Sequence, residues 1–373
     1  MNLKCKKKLL LAAVLAASGA VGNAHAGATI TFGEDKSVSV GFGIRSSFSS
    51  VERGATDGSS WSSDFNINNA RIFLGGSLNK YIKGMFTTDI SNGNMVVIDA
   101  IGRFEFMPEF NIWAGRMLSP SDRANLAGPF YSLGGGYGGT TVSVYGADGG
   151  KAAGRDDGVT VWGNLFNSKL GYSFGVFEGY TLGIGSQTPS AAGAKTSDNL
   201  MYAGRLQYDF WDAEPGYYGT GNYLGAKDIL AIGFAGRYQE KGVITGPTAI
   251  GDYAAYNVDF LLEKRNIGPG AISVEAAYYD YDTDGVVPGK SGNAYLVGGG
   301  YIFNQKIGWG QFQPYARYQK FNAENHIGTG TYDIGLNYII DGYNAQVTGK
   351  YTNTKVSNQP ETSAFSVALQ LQF

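Results

Sequence analysis

Phe365-Ser366-Val367-Ala368-Leu369-Gln370-Leu371-Gln372-Phe373 closes the chain, and these residues alternate strictly between apolar and polar. Phe365, Val367, Leu369, Leu371 and Phe373 fall on one face; Ser366, Ala368, Gln370 and Gln372 fall on the other. A period of two is the period of a β-strand. One greasy face and one polar face, at the very end of a chain, suit a strand of a transmembrane barrel, with lipid on one side and a watery lumen on the other.

The opposite end supports export. Lys4, Lys6, Lys7 and Lys8 form a basic region, Leu9 to Ala17 an apolar one, and Ala24-His25-Ala26 a small-x-small cleavage site. We expect a secretory signal peptide over residues 1–26 and a single barrel domain over 27–373. The apolar run is shorter than the ~20 residues of a spanning helix. Cys5 lies in the basic region, ahead of the apolar one, so it is not a lipoprotein cysteine.

Composition narrows the chemistry. Cys5 is the only cysteine, and beyond the leader His326 is the only histidine, so disulfides, multi-histidine metal sites and most histidine catalysis are not expected. No cofactor is expected either. Four of the 29 basic residues lie in the leader, which leaves 25 against 31 acidic residues and a net charge near −6. That balance argues against nucleic acid as a partner. Mean hydropathy is slightly negative, which a soluble protein and a barrel wall share, so alternation must decide between them.

Alternation recurs along the chain. Val38, Val40, Phe42, Ile44 and Phe48 share a face, as do Ala70, Ile72, Leu74 and Leu78, then Ile82, Phe86 and Ile90, then Val96, Ile98, Ala100 and Phe104. The same grammar continues to Tyr332, Ile334, Leu336, Tyr338 and Ile340, where Asp341-Gly342 signals a hairpin. Sixteen strands result. Short turns near Asn79, Pro108, Asn167, Pro269, Asn304 and Asp341 alternate with longer polar loops, as a barrel with both termini periplasmic requires. Trp211 to Gly225 breaks this rule, being long where a short turn is due, and reads as an extra hairpin or a flexible turn. The longest connection, about Leu118 to Asp156, is the natural candidate to fold inward and narrow a pore. The fold expected is all-β: a 16-stranded antiparallel transmembrane β-barrel with long extracellular loops and an inward-folded third loop.

Several stretches resemble the outer-membrane porins grouped as the phosphate-selective porin O and P family. They are Asn69-Ala70-Arg71-Ile72-Phe73-Leu74-Gly75-Gly76-Ser77-Leu78-Asn79-Lys80, Met107-Pro108-Glu109-Phe110-Asn111-Ile112-Trp113-Ala114-Gly115-Arg116, Gln313-Pro314-Tyr315-Ala316-Arg317-Tyr318 and Gly335-Leu336-Asn337-Tyr338. The resemblance implies a homotrimer of sixteen-stranded porins whose third loop enters the lumen. It does not carry phosphate specificity across. The long loop has Arg116, Arg123, Lys151 and Arg155 opposed by Asp122, Asp148, Asp156 and Asp157, which is no basic cluster.

Strand parity yields a list of lumen residues without reference to any family. The bases are Arg45, Arg71, Lys83, Arg103, Arg205, Arg237, Arg317 and Lys350, and the acids Asp89, Asp99, Glu105, Asp209, Asp259, Glu263, Glu275 and Asp333. Arg116 and Arg123 of the long loop join the pore-lining and selectivity candidates. Bases dominate the first four strands, while Asp259, Glu263 and Glu275 cluster on the tenth and eleventh. Opposite walls of opposite sign would set up a transverse field; pairing across neighbouring strands would instead stiffen the wall. Aromatics at strand ends, including Phe106, Phe110, Phe210, Trp211, Trp309, Phe312, Tyr338, Tyr343 and Phe373, fit an interfacial girdle.

The expected function is passive diffusion of small hydrophilic solutes and ions, with anions such as phosphate included, through the bacterial outer membrane. The expected partners are outer-membrane lipid, the solutes and two further copies of the chain. A barrel sheathing a periplasmic electron-transfer protein is the alternative, although no Cys-x-x-Cys-His haem motif is present. An outer-membrane hydrolase is the weaker one, because His326 has no nucleophile partner visible in the sequence.

Overall fold

The computed structural model describes residues 27–91, 93–137, 154–179, 181–182 and 193–373. The expected leader, and Asp148 and Lys151 of the long loop, lie outside these residues. The first half of the described chain forms β1 (Ala28–Thr31), β2 (Ser37–Val51), β3 (Ser62–Ser77), β4 (Ile82–Ser91), β5 (Asn94–Met107), β6 (Phe110–Leu118), one short helix α1 (Arg123–Ala127), β7 (Arg155–Leu165), β8 (Leu170–Phe177) and β9 (Met201–Asp209). The second half forms β10 (Ile229–Ile244), β11 (Ile250–Ile267), β12 (Gly270–Asp282), β13 (Gly292–Phe303), β14 (Lys306–Ile307), β15 (Gly310–Ala323), β16 (Thr329–Asp341), β17 (Ala345–Val356) and β18 (Thr362–Gln372).

Each long strand pairs antiparallel with the next, β13 pairs with β15, and β18 returns to β2, so the sheet closes. Two short strands add no wall position. β14 is a turn fragment against the start of β15, and β1 pairs with β2 below the point where β18 ends. β18 covers Gly43 to Val51 of β2, and β1 covers Ser37 to Val40. The Phe42 N–H donates to the Phe373 carbonyl (3.0 Å) and the Phe373 N–H to the Phe42 carbonyl (2.8 Å). The two ends of the chain thus share one wall position. Among the described residues the barrel has sixteen such positions.

The pleat sets the two faces. Val38, Val40, Phe42 and Ile44 point outward and are exposed, as are Phe365, Val367 and Leu369. Arg45, Gln370 and Gln372, one residue out of phase, point inward and are buried. Ile98 departs from the outer set to which its alternation assigned it. The β4–β5 register slips between Thr87 and Thr88, which leaves Ile98 without an opposite residue, and it is fully buried. An extra residue of this kind resets strand parity. β3 and β4 pair only from Phe73 to Ser77. Above that, the Thr88 hydroxyl accepts from the Ile72 N–H (3.2 Å) and the Asp89 carboxylate from the Ala70 N–H (3.0 Å), so side chains stand in for the missing ladder.

Two other expectations are corrected. Residues 210–228 hold no strand, so no extra hairpin is built there. Instead the segment turns into the barrel, with Tyr217, Asn222 and Tyr223 buried, while Phe210 at its start stays on the outer face. Tyr343 does not join the outer girdle; its ring meets Tyr131 at 5.0 Å, inside the barrel. Several of the other end aromatics pair on the outer face, for example Phe106 with Phe110 (5.9 Å) and Phe312 with Tyr338 (4.9 Å).

An outward face in hydrocarbon makes one direct prediction. Val258→Arg, at the outer midpoint of β11, should destabilise the barrel by about 2–4 kcal/mol in lipid vesicles, read as a lower urea midpoint. An unchanged midpoint would contradict the lipid-facing assignment.

Candidate functional site: a lumen crossed by two inserts

Residues 119–137 leave β6 and run through the barrel interior. α1 begins where the Asp122 carboxylate accepts from the Asn125 N–H (3.1 Å). The hydroxyls of Ser121 (2.8 Å) and Tyr279 (2.9 Å) also donate to Asp122. Burial raises the Asp122 carboxyl above its usual range, and these hydrogen bonds oppose the shift. At the helix start the Arg123 N–H donates to Asp259 on β11 (3.1 Å). Beyond the helix, the Phe130 ring lies under the guanidinium groups of Arg71 (5.0 Å) and Arg45 (5.8 Å).

The rest of this insert has irregular backbone, so its carbonyls need donors from elsewhere. The wall arginines supply them. Arg317 donates to the carbonyls of Leu133 (3.2 Å) and Gly136 (2.7 Å), and Arg45 to that of Gly135. Gly134, Gly135 and Gly136 all have positive φ (72°, 71° and 110°). A Cβ at Gly134 would sit 2.4 Å from the Tyr315 ring, so both conformation and space demand glycine there. Tyr137 ends the described part and donates to Glu275 on β12 (2.7 Å).

Residues 210–228 enter from the opposite end, between β9 and β10. Both Glu214 oxygens accept from the Arg123 guanidinium, each at 2.7 Å, and the Tyr223 hydroxyl donates to the same carboxylate (2.7 Å). The Thr220 carbonyl also accepts from Arg123 (2.8 Å). Glu263 on β11 accepts from the backbone N–H groups of Tyr223 (2.7 Å) and Gly225 (2.5 Å) and from the Ser273 hydroxyl (3.0 Å). Tyr217 donates to the Leu118 carbonyl (2.7 Å), and the Gly221 N–H to that of Tyr131 (3.0 Å), tying the two inserts together. Asp228 closes the segment. Hydrogen bonds from the Arg265 N–H and the Lys264 ammonium hold its carboxyl down at about 2.

An aromatic nest holds the second insert sideways. Tyr217 and Tyr218 pack on Trp113 (4.9 and 5.9 Å), and Trp113 meets Trp162 edge-on (5.2 Å). Pairs of this kind contribute about 0.5–1.5 kcal/mol each beyond their buried area. Strand parity contained the signal for this nest. Trp113 and Trp162 occupy inward positions of the neighbouring strands β6 and β7, and a tyrosine-rich connection was available to cover them.

Most of the sequence-derived candidates lie on the inner face, and there they are paired. Arg71 meets Asp89 (2.8 Å), Lys83 meets Glu105 (2.7 Å), Arg103 also meets Glu105, and Arg155 meets Asp99 (3.2 Å). Arg205 grips Asp259 through both nitrogens (2.5 and 2.8 Å). Arg317 meets Asp333 (2.8 Å) and, at 4.0 Å, Glu275. Arg237 donates to the Ser119 hydroxyl (2.6 Å). Arg116 is the exception. It ends β6 with the parity of Phe110 and Ile112, and pairs at 2.7 Å with Asp157, directly opposite on the outward side of β7. Assigning it to a loop hid that parity.

Pairing does not treat the two signs alike. The carboxylates of Asp259, Glu275 and Asp333 retain only 3%, 6% and 1% of their side-chain exposure, and Glu263 is fully buried. Lys83, Arg103 and Lys350 retain 36%, 26% and 21%. These acids lie beneath the inserts or inside the pairs, as do Arg71, Arg123, Arg205 and Arg317, while bases of β4, β5 and β17 keep water, together with Glu105 between two of them. Among the described residues, small cavities lie between the inserts and the wall. One of about 40 Å³ lies beside Arg205 and Glu214, and one of about 50 Å³ beside Arg71 and Asp99. Each has room for a few waters.

No family model matches the chain, and no curated protein does. Solved structures match its fold. An anion-selective porin from Comamonas acidovorans is 14% identical with a TM-score of 0.61, covering 91% of this chain and 100% of that one. OmpF of Salmonella typhi, solved with daunomycin, is 11% identical (TM-score 0.60; 93% and 100% covered). OprB of Pseudomonas putida is 9% identical (TM-score 0.59; 90% and 94% covered). At such identities the likeness is one of fold.

The wall pairs should behave as structural elements. Arg317→Met, which strands Asp333 and frees two insert carbonyls, should lower stability by about 3–5 kcal/mol in urea unfolding. A wild-type midpoint would mean that these pairs do not hold the lumen together.

Proposed function

We propose that this chain is a passive channel of the bacterial outer membrane for small hydrophilic solutes, and that it favours anions. Support for the channel comes from the closed barrel, its apolar outer face, its polar interior and a fold shared with porins. In that setting the termini and short turns face the periplasm, and residues 119–137 descend from the outer side. Trimeric assembly is part of the reading and rests on the sequence resemblance.

The anion preference rests on one observation: Asp259, Glu263, Glu275 and Asp333 are dry, whereas Lys83, Arg103 and Lys350 still meet water and outnumber Glu105, which shares that water with the first two. A permeating ion samples the charges it can approach, so the field along the remaining path is cationic. The Comamonas acidovorans neighbour is titled anion-selective, which agrees in sign. The proposal covers small anions as a class, phosphate among them. Among the described residues, specific recognition of phosphate lacks a free basic cluster, because Arg116 is paired on the outer face and Arg123 is taken up by Glu214. A sheath for an electron-transfer partner would need a lumen open to that partner, and the two inserts occupy it.

Planar-bilayer recording tests this reading. Under a potassium chloride gradient the wild type should reverse on the chloride side. The Lys83→Gln/Arg103→Gln/Lys350→Gln variant should move toward zero or past it. Cation preference in the wild type, or a variant with an unchanged reversal potential, would refute the anion path.

A further inference from the structure

We propose that the segment Trp211–Asp228 is a second size filter, entering the lumen from the turn end and clasped to the first insert by the Arg123–Glu214 pair. The proposal rests on the channel reading and adds a determinant of which solutes pass. Barrel closure does not require the segment. The β9–β10 ladder already reaches Asp212 and Asp228, whose N–H and carbonyl meet at 2.9 Å, and a two-residue turn could join them there. Connections at this end are otherwise brief, as at Pro108–Glu109 and Gly342–Asn344.

The long form of this connection therefore acts inside the lumen. Its polar groups satisfy Glu263 and Arg123, its tyrosines cover Trp113 and Trp162, and Gly221 bonds to Tyr131 of the first insert. The inserts meet as one body, so the free cross-section at this level depends on both. Removing the segment would strip cover from the β9–β12 wall and widen the path.

Two constructions test this. In the first, Ala213–Lys227 is replaced by Asn-Gly, and conductance and sugar-driven liposome swelling are compared with the wild type. Conductance should rise about twofold or more, and larger sugars should enter. The second is Leu126→Cys/Gly219→Cys in a Cys5→Ser background. A Cβ at Gly219 lies 3.6 Å from the Leu126 Cβ, within the disulfide range. Oxidation should form the bridge and leave conductance unchanged, because the filter does not move during permeation.

A folded, shortened protein with wild-type conductance and size cut-off overturns the filter and leaves the channel standing. Failure of the cysteine pair to bridge overturns it too, even if the shortened chain does not fold. Block of conduction on bridging would show a moving gate and likewise overturn it. Silence from both the wild type and the shortened barrel would remove the channel reading, and the filter with it.

Discussion

Backbone that crosses hydrocarbon must find every hydrogen-bond partner within the protein, and in this chain the seam between β18 and β2 is where that demand is met. Without the seam there would be two open edges. With it, β18 and β1 lie end to end along β2, and the reciprocal bonds between Phe42 and Phe373 join the two segments. The strict alternation of the last residues follows from the same constraint. Each must present either lipid or lumen while its backbone serves the ladder.

Closure creates a second problem inside. Inserts with irregular backbone cannot satisfy themselves, and a buried unsatisfied group costs about 1–3 kcal/mol. The inner wall answers with charged side chains used as hydrogen-bond partners. Arg317 and Arg45 receive carbonyls, while Glu263 and Asp259 receive N–H groups. Charges that strand parity offers as selectivity elements are thus largely absorbed in holding the inserts. In the proposed channel, selectivity would fall to the bases that are not used to hold the inserts.

The strands were legible because period two is a local property, and most of the sixteen barrel positions coincide with an alternating stretch; Tyr295 to Phe303 of β13, with three successive glycines, is harder to phase. Features that depend on registry or distant contact were not. The inward turn of Ile98 follows from a slip against β4, which the alternation of β5 alone does not reveal. Arg116 reads as part of the loop because it stands close to the Ser119-Pro120 break that ends β6; its partner Asp157 becomes visible only through pairing. The connection 210–228 looked like a surplus turn, since nothing local shows that Glu214 meets Arg123 across the lumen. Trp113 and Trp162 were a readable hint, two large rings at inward positions of adjacent strands.

The central claim is that the inner acids of β11, β12 and β16 are sealed from water while the bases of β4, β5 and β17 stay open to it. Thiol accessibility tests it most directly, using Lys83→Cys, Lys350→Cys, Glu263→Cys and Glu275→Cys, each in a Cys5→Ser background, with a charged water-soluble methanethiosulfonate. The account predicts that positions 83 and 350 react on the order of tenfold faster than 263 and 275. Equal rates, or faster reaction at 263 and 275, would contradict it.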